Sequence, residues 1–296
     1  MNRKTARGYL YAILSAMIYG CMPLMAKAIY ADGVTPFTVV FLRNFLALIP
    51  LALLAYGEQK TLKIPLKLLP SLSVIAILGC CLTPLLLFSS YNYIASGTAT
   101  VFHYAYPAIV VMGEILIFRK KMQIGSTISI LLCVIGISLF YSPDEPINLT
   151  GSILALFSAV TFASYVMLLS RFDRSKVSVF SFSFYIALIS SIGAFFACVV
   201  TGNLAFPATA RGWGLCLLFA LLVTVGAVVL FQQSTFLIGG ERTSILSTLE
   251  PITSLVTGAI VFREALGLRI LIGVLFVLSA SILTALIDIR KNKQKA

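Results

Sequence analysis

The chain has 296 residues, 59% of them hydrophobic and only 11% charged, with a formal net charge of +12 and a mean hydropathy of +1.02. A soluble domain carries about 25% charged residues, so most of this chain has lipid for its solvent; disorder, a collagen-like fibre and a secreted disulfide scaffold are excluded. The basic residues sit in short clusters between apolar stretches, a pattern of membrane orientation that predicts no nucleic-acid partner.

A bilayer core of about 30 Å takes roughly 20 apolar residues of helix. Ten such stretches follow one another: 8–30, 35–56, 68–91, 97–118, 124–141, 151–170, 178–201, 212–238, 243–262 and 270–287. The first is longer than the roughly 7–15 apolar residues of a cleavable signal. Lipid offers no partner to a free backbone amide, so each stretch is predicted to be helical. None shows the short polar–apolar alternation of a membrane β-barrel.

Lys and Arg fall unevenly on the two sides of these stretches. One side holds Arg3, Lys4, Arg7, Lys60, Lys63, Lys67, Arg119, Lys120, Lys121, Arg171, Arg174, Lys176, Arg242, Arg290, Lys291, Lys293 and Lys295. The other holds Lys27, Arg211, Arg263 and Arg269, together with the acidic pair Asp144 and Glu145. The positive-inside rule then predicts a multi-pass protein of the cytoplasmic membrane with both termini in the cytoplasm.

The chain also repeats itself. A constant shift in residue number pairs Gly8 with Gly151, Ala12 with Ala155, Ser15 with Ser158, Ala16 with Ala159, Phe37 with Phe180, Phe41 with Phe184, Phe88 with Phe231 and Gly97 with Gly240. After a slip of one position, the shift pairs Pro107 with Pro251, Phe118 with Phe262 and Arg119 with Arg263. Two units are expected, 1–142 and 143–296. Five spans per unit is an odd number, so the second copy enters the membrane from the opposite face. The expected fold class is an all-α integral membrane protein of ten transmembrane helices in two inverted five-helix repeats, an arrangement that favours alternating access.

These features resemble the EamA branch of the drug/metabolite transporter superfamily, over essentially the whole chain. Tyr106-Pro107 and Leu249-Glu250-Pro251 stand where that family places a proline in its fourth and ninth helices. Phe262-Arg263-Glu264 and Gly273 are similar to its junction of helices nine and ten, and Arg43 in Phe41-Leu42-Arg43 to an arginine of its second helix. The first repeat departs from the pattern, with Lys120 where the Glu is expected. The resemblance implies movement of small metabolites through a cavity between the halves. Amino acids or related compounds are the first expectation on that ground, and drugs or cationic compounds the second.

Charges inside the spans narrow the site. A charge at mid-bilayer costs about 2.5–3.5 kcal/mol on insertion scales. Lys27 and Glu114 lie within about 6 Å of their span ends and are expected to snorkel. Arg43 and Glu250 lie about 12 Å and about 10 Å inside theirs, so each is expected to face a wet cavity or a partner. An Arg43–Glu250 pair that locks the bundle is the structural alternative, and proton coupling through Glu250 a functional one. The single histidine, His103, is either a proton relay or a hydrogen-bonded packing residue.

Pro107 and Pro251 cannot donate to the carbonyls of His103 and Ser247, and breaks at matched repeat positions mark a binding site or kinks that merely shape the bundle. With Tyr19, Tyr106 and Ser158 as cavity-facing polar groups, the candidate substrate-binding residues are Tyr19, Arg43, His103, Tyr106, Pro107, Ser158, Ser247, Glu250 and Pro251. Tyr91, Asn92, Gln232 and Gln233 are assigned to the cavity or to an interfacial belt, Tyr91 to the belt. The six cysteines, at 21, 80, 81, 133, 198 and 216, all lie in apolar stretches without a CxxC, and no metal or cofactor is expected. HExxH and GxSxG are absent, which leaves an intramembrane enzyme as a weaker reading. The partners expected are a small-molecule substrate and the lipid bilayer, with proton coupling and a homodimer as open readings.

Overall fold

A computed structural model describes residues 3–59, 62–94, 96–119, 124–139, 148–173, 177–262 and 267–294, which are helical with no strand among them. In the first repeat these residues form α1 (Arg3–Tyr30), α2 (Pro36–Glu58) and α3 (Leu66–Ser90), then α4 (Ser96–His103), α5 (Tyr106–Leu116) and α6 (Ile124–Ser138). The second repeat supplies α7 (Leu149–Leu169), α8 (Val179–Thr201) and α9 (Ala210–Ile238), followed by α10 (Gly240–Leu246), α11 (Leu249–Phe262) and α12 (Leu268–Gln294).

Six of these helices, α1, α2, α3, α7, α8 and α9, are long and apolar enough to cross a membrane. The fourth and ninth predicted stretches are instead each broken in two, at Tyr104–Ala105 and at Ser247–Thr248. The fifth and tenth contribute shorter apolar segments, Thr127–Ser138 and Leu271–Ala280, among the described residues. The carboxylates Asp144 and Glu145, the motif residues Lys120, Arg263 and Glu264, and Phe140 and Tyr141 at the end of the fifth stretch lie outside the described residues.

Local structure follows the repeat closely. Thr35 caps α2 by accepting from the Thr38 amide, and Ser178 caps α8 by accepting from the Ser181 amide; the two cap residues are repeat twins. Such caps satisfy orphan donors at a helix start. Within α3 the chain widens into π-helical turns at Ile77–Leu82, and within α9 it does so at Ala220–Val228. Their first residues, Ile77 and Ala220, are twins as well, and such turns recur at functional sites.

Packing obeys the same exchange. Helix α1 lies against α9 and α11, while α7 lies against α3 and the α4–α5 pair. Helix α2 packs on α8, α3 on α8, α2 on α9, and α6 on α12. Replacing each helix by its partner six places on returns the same list. Small residues allow the closest approaches, as expected where lipid provides no hydrophobic drive between helices. A Cβ on Gly8 would stand 2.5 Å from Cγ2 of Ile238, and one on Gly151 would stand 2.8 Å from Cβ of Tyr93.

Hydrogen bonds between the repeats close one end of the bundle. Thr38 donates to the Asn203 carbonyl at 3.0 Å and accepts from the Ala205 amide at 3.0 Å. Thr209 donates to the Asp32 carboxylate through its hydroxyl at 2.8 Å and its amide at 3.1 Å. This end is the far face; the opposite one, with Arg3, Leu66, Arg171 and Gly239, is the terminal face.

Because the two glycine contacts are equivalent, Gly8→Ala and Gly151→Ala should each destabilise the protein by about 1–3 kcal/mol through overpacking. Gly57→Ala, where a Cβ meets nothing within 4 Å, should be close to neutral. Thermal unfolding of the three variants in detergent checks this.

Candidate functional site

A cavity sits between the two repeats, and five of the nine predicted site residues line it: Tyr19, Arg43, His103, Tyr106 and Glu250. Each reaches it from a different helix, namely α1, α2, α4, α5 and α11. The far end of α1 adds Met22, the π-helical part of α3 adds Gly79 and Cys80, and the rest of α3 adds Thr83, Pro84 and Leu87. Phe162 and Tyr165 of α7 complete the wall. Met22, Thr83, Pro84 and Leu87 lie towards the far ends of their helices, and Phe162 and Tyr165 towards the terminal-face end of α7. His103, Tyr106 and Glu250 flank the two helix breaks, so the cavity is central. Its free volume is about 50 Å³, small beside the roughly 300–1,000 Å³ of pockets that take drug-sized ligands.

Arg43 is 4% exposed, and its Nε has no hydrogen-bond partner among the described residues. Glu250 shares the cavity, yet no ion pair joins it to Arg43 among the described residues. The two charges therefore face one space without neutralising each other. The bundle-locking pair considered above is not what the structure shows.

Aromatic rings build the wall between the charges. Tyr106 meets Phe162 edge to face at 4.7 Å, and His103 lies 5.4 Å from each of them. Tyr165 stacks on Phe231 behind the wall, and its ring covers Gly79 so closely that a Cβ there has no room. Small residues in the widened turns of α3 are what let Tyr165 form the cavity floor.

The other predicted residues act from behind. Ser158 donates to the Ala155 carbonyl at 2.6 Å and lies 2.8 Å from His103 Nδ1. The hydroxyl has one proton, so the imidazole tautomer sets which of the two atoms donates. His103 is thus both a hydrogen-bonded packing residue and part of the cavity wall. Pro107 and Pro251 sit in the first turns of α5 and α11 and do not line the cavity. The Ser247 carbonyl accepts from the Tyr104 hydroxyl at 3.2 Å and from the Glu250 amide at 3.0 Å. A phenol of one repeat thereby adds a second hydrogen bond to a carbonyl at the helix break of the other repeat.

Two expectations need correction. Glu114 does not snorkel: it is buried, and Arg171 grips it with two hydrogen bonds of 2.8 and 3.0 Å. Its span end lies against α7, which carries the cation. Gln232, left open above between cavity and belt, is in neither: it is fully buried, accepts from Ser183 and does not line the cavity. Lys27 is exposed, as snorkelling requires.

Sequence reasoning missed Phe162, Thr83, Cys80 and Gly79, and ranked Pro84 low for want of a proline twin. Phe162 had a signal, being the repeat twin of Tyr19. For the α3 residues no motif was available.

Family comparison agrees with this architecture. The model of the EamA-like transporter family matches residues 6–142 and 149–286. An uncharacterized inner membrane transporter of Salmonella typhimurium, YicL, is 28% identical over 315 aligned residues, with 99% of each chain covered. An uncharacterized transporter of Haemophilus influenzae is 28% identical over 189 residues, a match covering 60% of this chain and only 61% of that relative. A solved crystal structure shares the fold at a TM-score of 0.79 and 15% identity, covering 96% of this chain and 98% of its own. The chain belongs to the EamA-like transporter family.

Proposed function

We propose that the protein is a secondary transporter that moves small organic metabolites, amino acids or related compounds, across the cytoplasmic membrane by alternating access. In this reading ten helices cross the bilayer, α4–α5 and α10–α11 each counting as one, and both termini face the cytoplasm. The observation that carries it is Arg43 and Glu250 facing one cavity between two like halves, with no ion pair between them among the described residues. Relatives named as transporters support the class.

The chemistry favours a solute with both an acid and an amine. A guanidinium binds a carboxylate through two parallel hydrogen bonds, and Glu250 can receive an ammonium group. Phe162, Tyr106 and Tyr165 offer an apolar body its stacking partners. Arg43 repels a purely cationic compound, and the free volume of about 50 Å³ offers a bulky drug little room. The drug or cation exporter is therefore the second reading. An amino acid also exceeds that volume, so the walls must part to admit it, as alternating access requires.

Purified protein in sealed liposomes should take up labelled amino acids saturably; substrate turnover in detergent, without a second compartment, would indicate an enzyme instead. Arg43→Ala should lower uptake of the transported solute by at least about 30-fold, the range for removing one partner of a desolvated charge pair. Arg43→Lys should recover only part, because an ammonium lacks the planar fork.

Glu250→Gln should weaken competition by zwitterions while leaving competition by amine-free carboxylates nearly unchanged. Run with a pH gradient, the same variant tests proton coupling: gradient dependence equal to that of the parent protein removes Glu250 as the carrier.

A further inference from the structure

At the terminal face the two repeats are clasped by a charge pair whose twin positions at the far face carry no charge. Arg171, just beyond the end of α7, donates through Nη1 and Nη2 to the two carboxylate oxygens of Glu114 on α5, at 2.8 and 3.0 Å. Its guanidinium lies 3.2 Å above the centre of the Phe118 ring. One turn further in, Gly113 meets the Met167 side chain with no room for a Cβ. A bidentate charge-assisted pair is among the stronger side-chain contacts, and a ring beneath the guanidinium adds a cation–π attraction.

The repeat makes the comparison direct. Arg171 has Ala28 as its twin, and Glu114, beyond the one-position slip, has Gly258. Neither twin carries a charge. At the far face the Met22–Tyr30 part of α1 packs on α2 and on the Ala210–Phe219 part of α9, and Asp32 accepts two hydrogen bonds from Thr209 there. One mouth is pinned by an ion pair between these positions and the other is not.

We propose that Arg171, Glu114 and Phe118 form a latch that holds the terminal-face mouth of the pathway shut and biases the resting state towards closure at that face. A contact made in only one of two conformations biases the equilibrium towards that conformation. Transport would then require the α5–α7 clasp to part in every cycle, whereas the twin positions on α1 and α11, Ala28 and Gly258, hold no charge pair to break. The inference rests on the alternating-access reading.

The test reads helix separation rather than transport, so its failure and the failure of a flux assay are distinguishable. Met167→Cys is placed in the full-length chain freed of its six native cysteines, in inside-out membrane vesicles. A membrane-impermeant maleimide is then added on the cytoplasmic side. Met167 is buried against α5, so labelling should be slow. Adding Glu114→Gln should raise the rate by about tenfold, and Arg171→Lys, which keeps the charge but loses the fork, by about threefold. The exchanged pair, Glu114→Arg with Arg171→Glu, should return labelling towards the slow rate.

An unchanged rate in Glu114→Gln overturns the latch, as does an exchanged pair that labels as fast as that single variant. Should Glu114→Gln fail to fold, Arg171→Lys decides by itself: faster labelling supports the latch and an unchanged rate overturns it.

Discussion

Lipid forms no hydrogen bonds, and that constraint shapes the molecule at every level. Backbone amides must be satisfied within helices, so the chain is read first as a series of apolar stretches and found as a bundle of helices. Where a helix is broken, its carbonyls must find other donors, and the Ser247 carbonyl finds the Glu250 amide and the Tyr104 hydroxyl. Charges are tolerated only where they face a cavity or a partner. Arg43 and Glu250 meet the first condition, Arg171 and Glu114 the second.

The scaffold is duplicated and the chemistry is not. Caps at Thr35 and Ser178, π-helical turns in α3 and α9, and glycine contacts at Gly8 and Gly151 all recur at one spacing. Arg43 corresponds instead to Ile186, His103 to Leu246 and Arg171 to Ala28. In the proposed alternating-access cycle a like pair of halves would provide two shapes of similar energy, and unlike side chains would make the two shapes bind and hold differently. A scaffold of this kind can be reversible in form and directional in behaviour.

Much of this was legible in the residues, for reasons that can be named. Depth along a helix is simple arithmetic, so the burial of Arg43 and Glu250 could be anticipated from their distance to the span ends. The repeat spacing located the two broken helices through Pro107 and Pro251. Lateral contact is what a single sequence withholds. Glu114 looked like an interfacial residue because its position along α5 says nothing of Arg171 on α7, 57 residues away. Gly79 and Cys80 carried no sign of a cavity role because the widened turn that presents them is a backbone feature without a side-chain motif.

Opposed insertion of the two halves underlies the carrier reading, and twin positions test it most directly. Arg7 and Thr150 are equivalent under the repeat and both are exposed. Single cysteines at these positions, treated in intact cells with a membrane-impermeant thiol reagent, should behave oppositely: Thr150→Cys reacts from outside, and Arg7→Cys reacts only once the membrane is permeabilised. Reaction of both from the same side would contradict opposed insertion and the alternating-access account built on it.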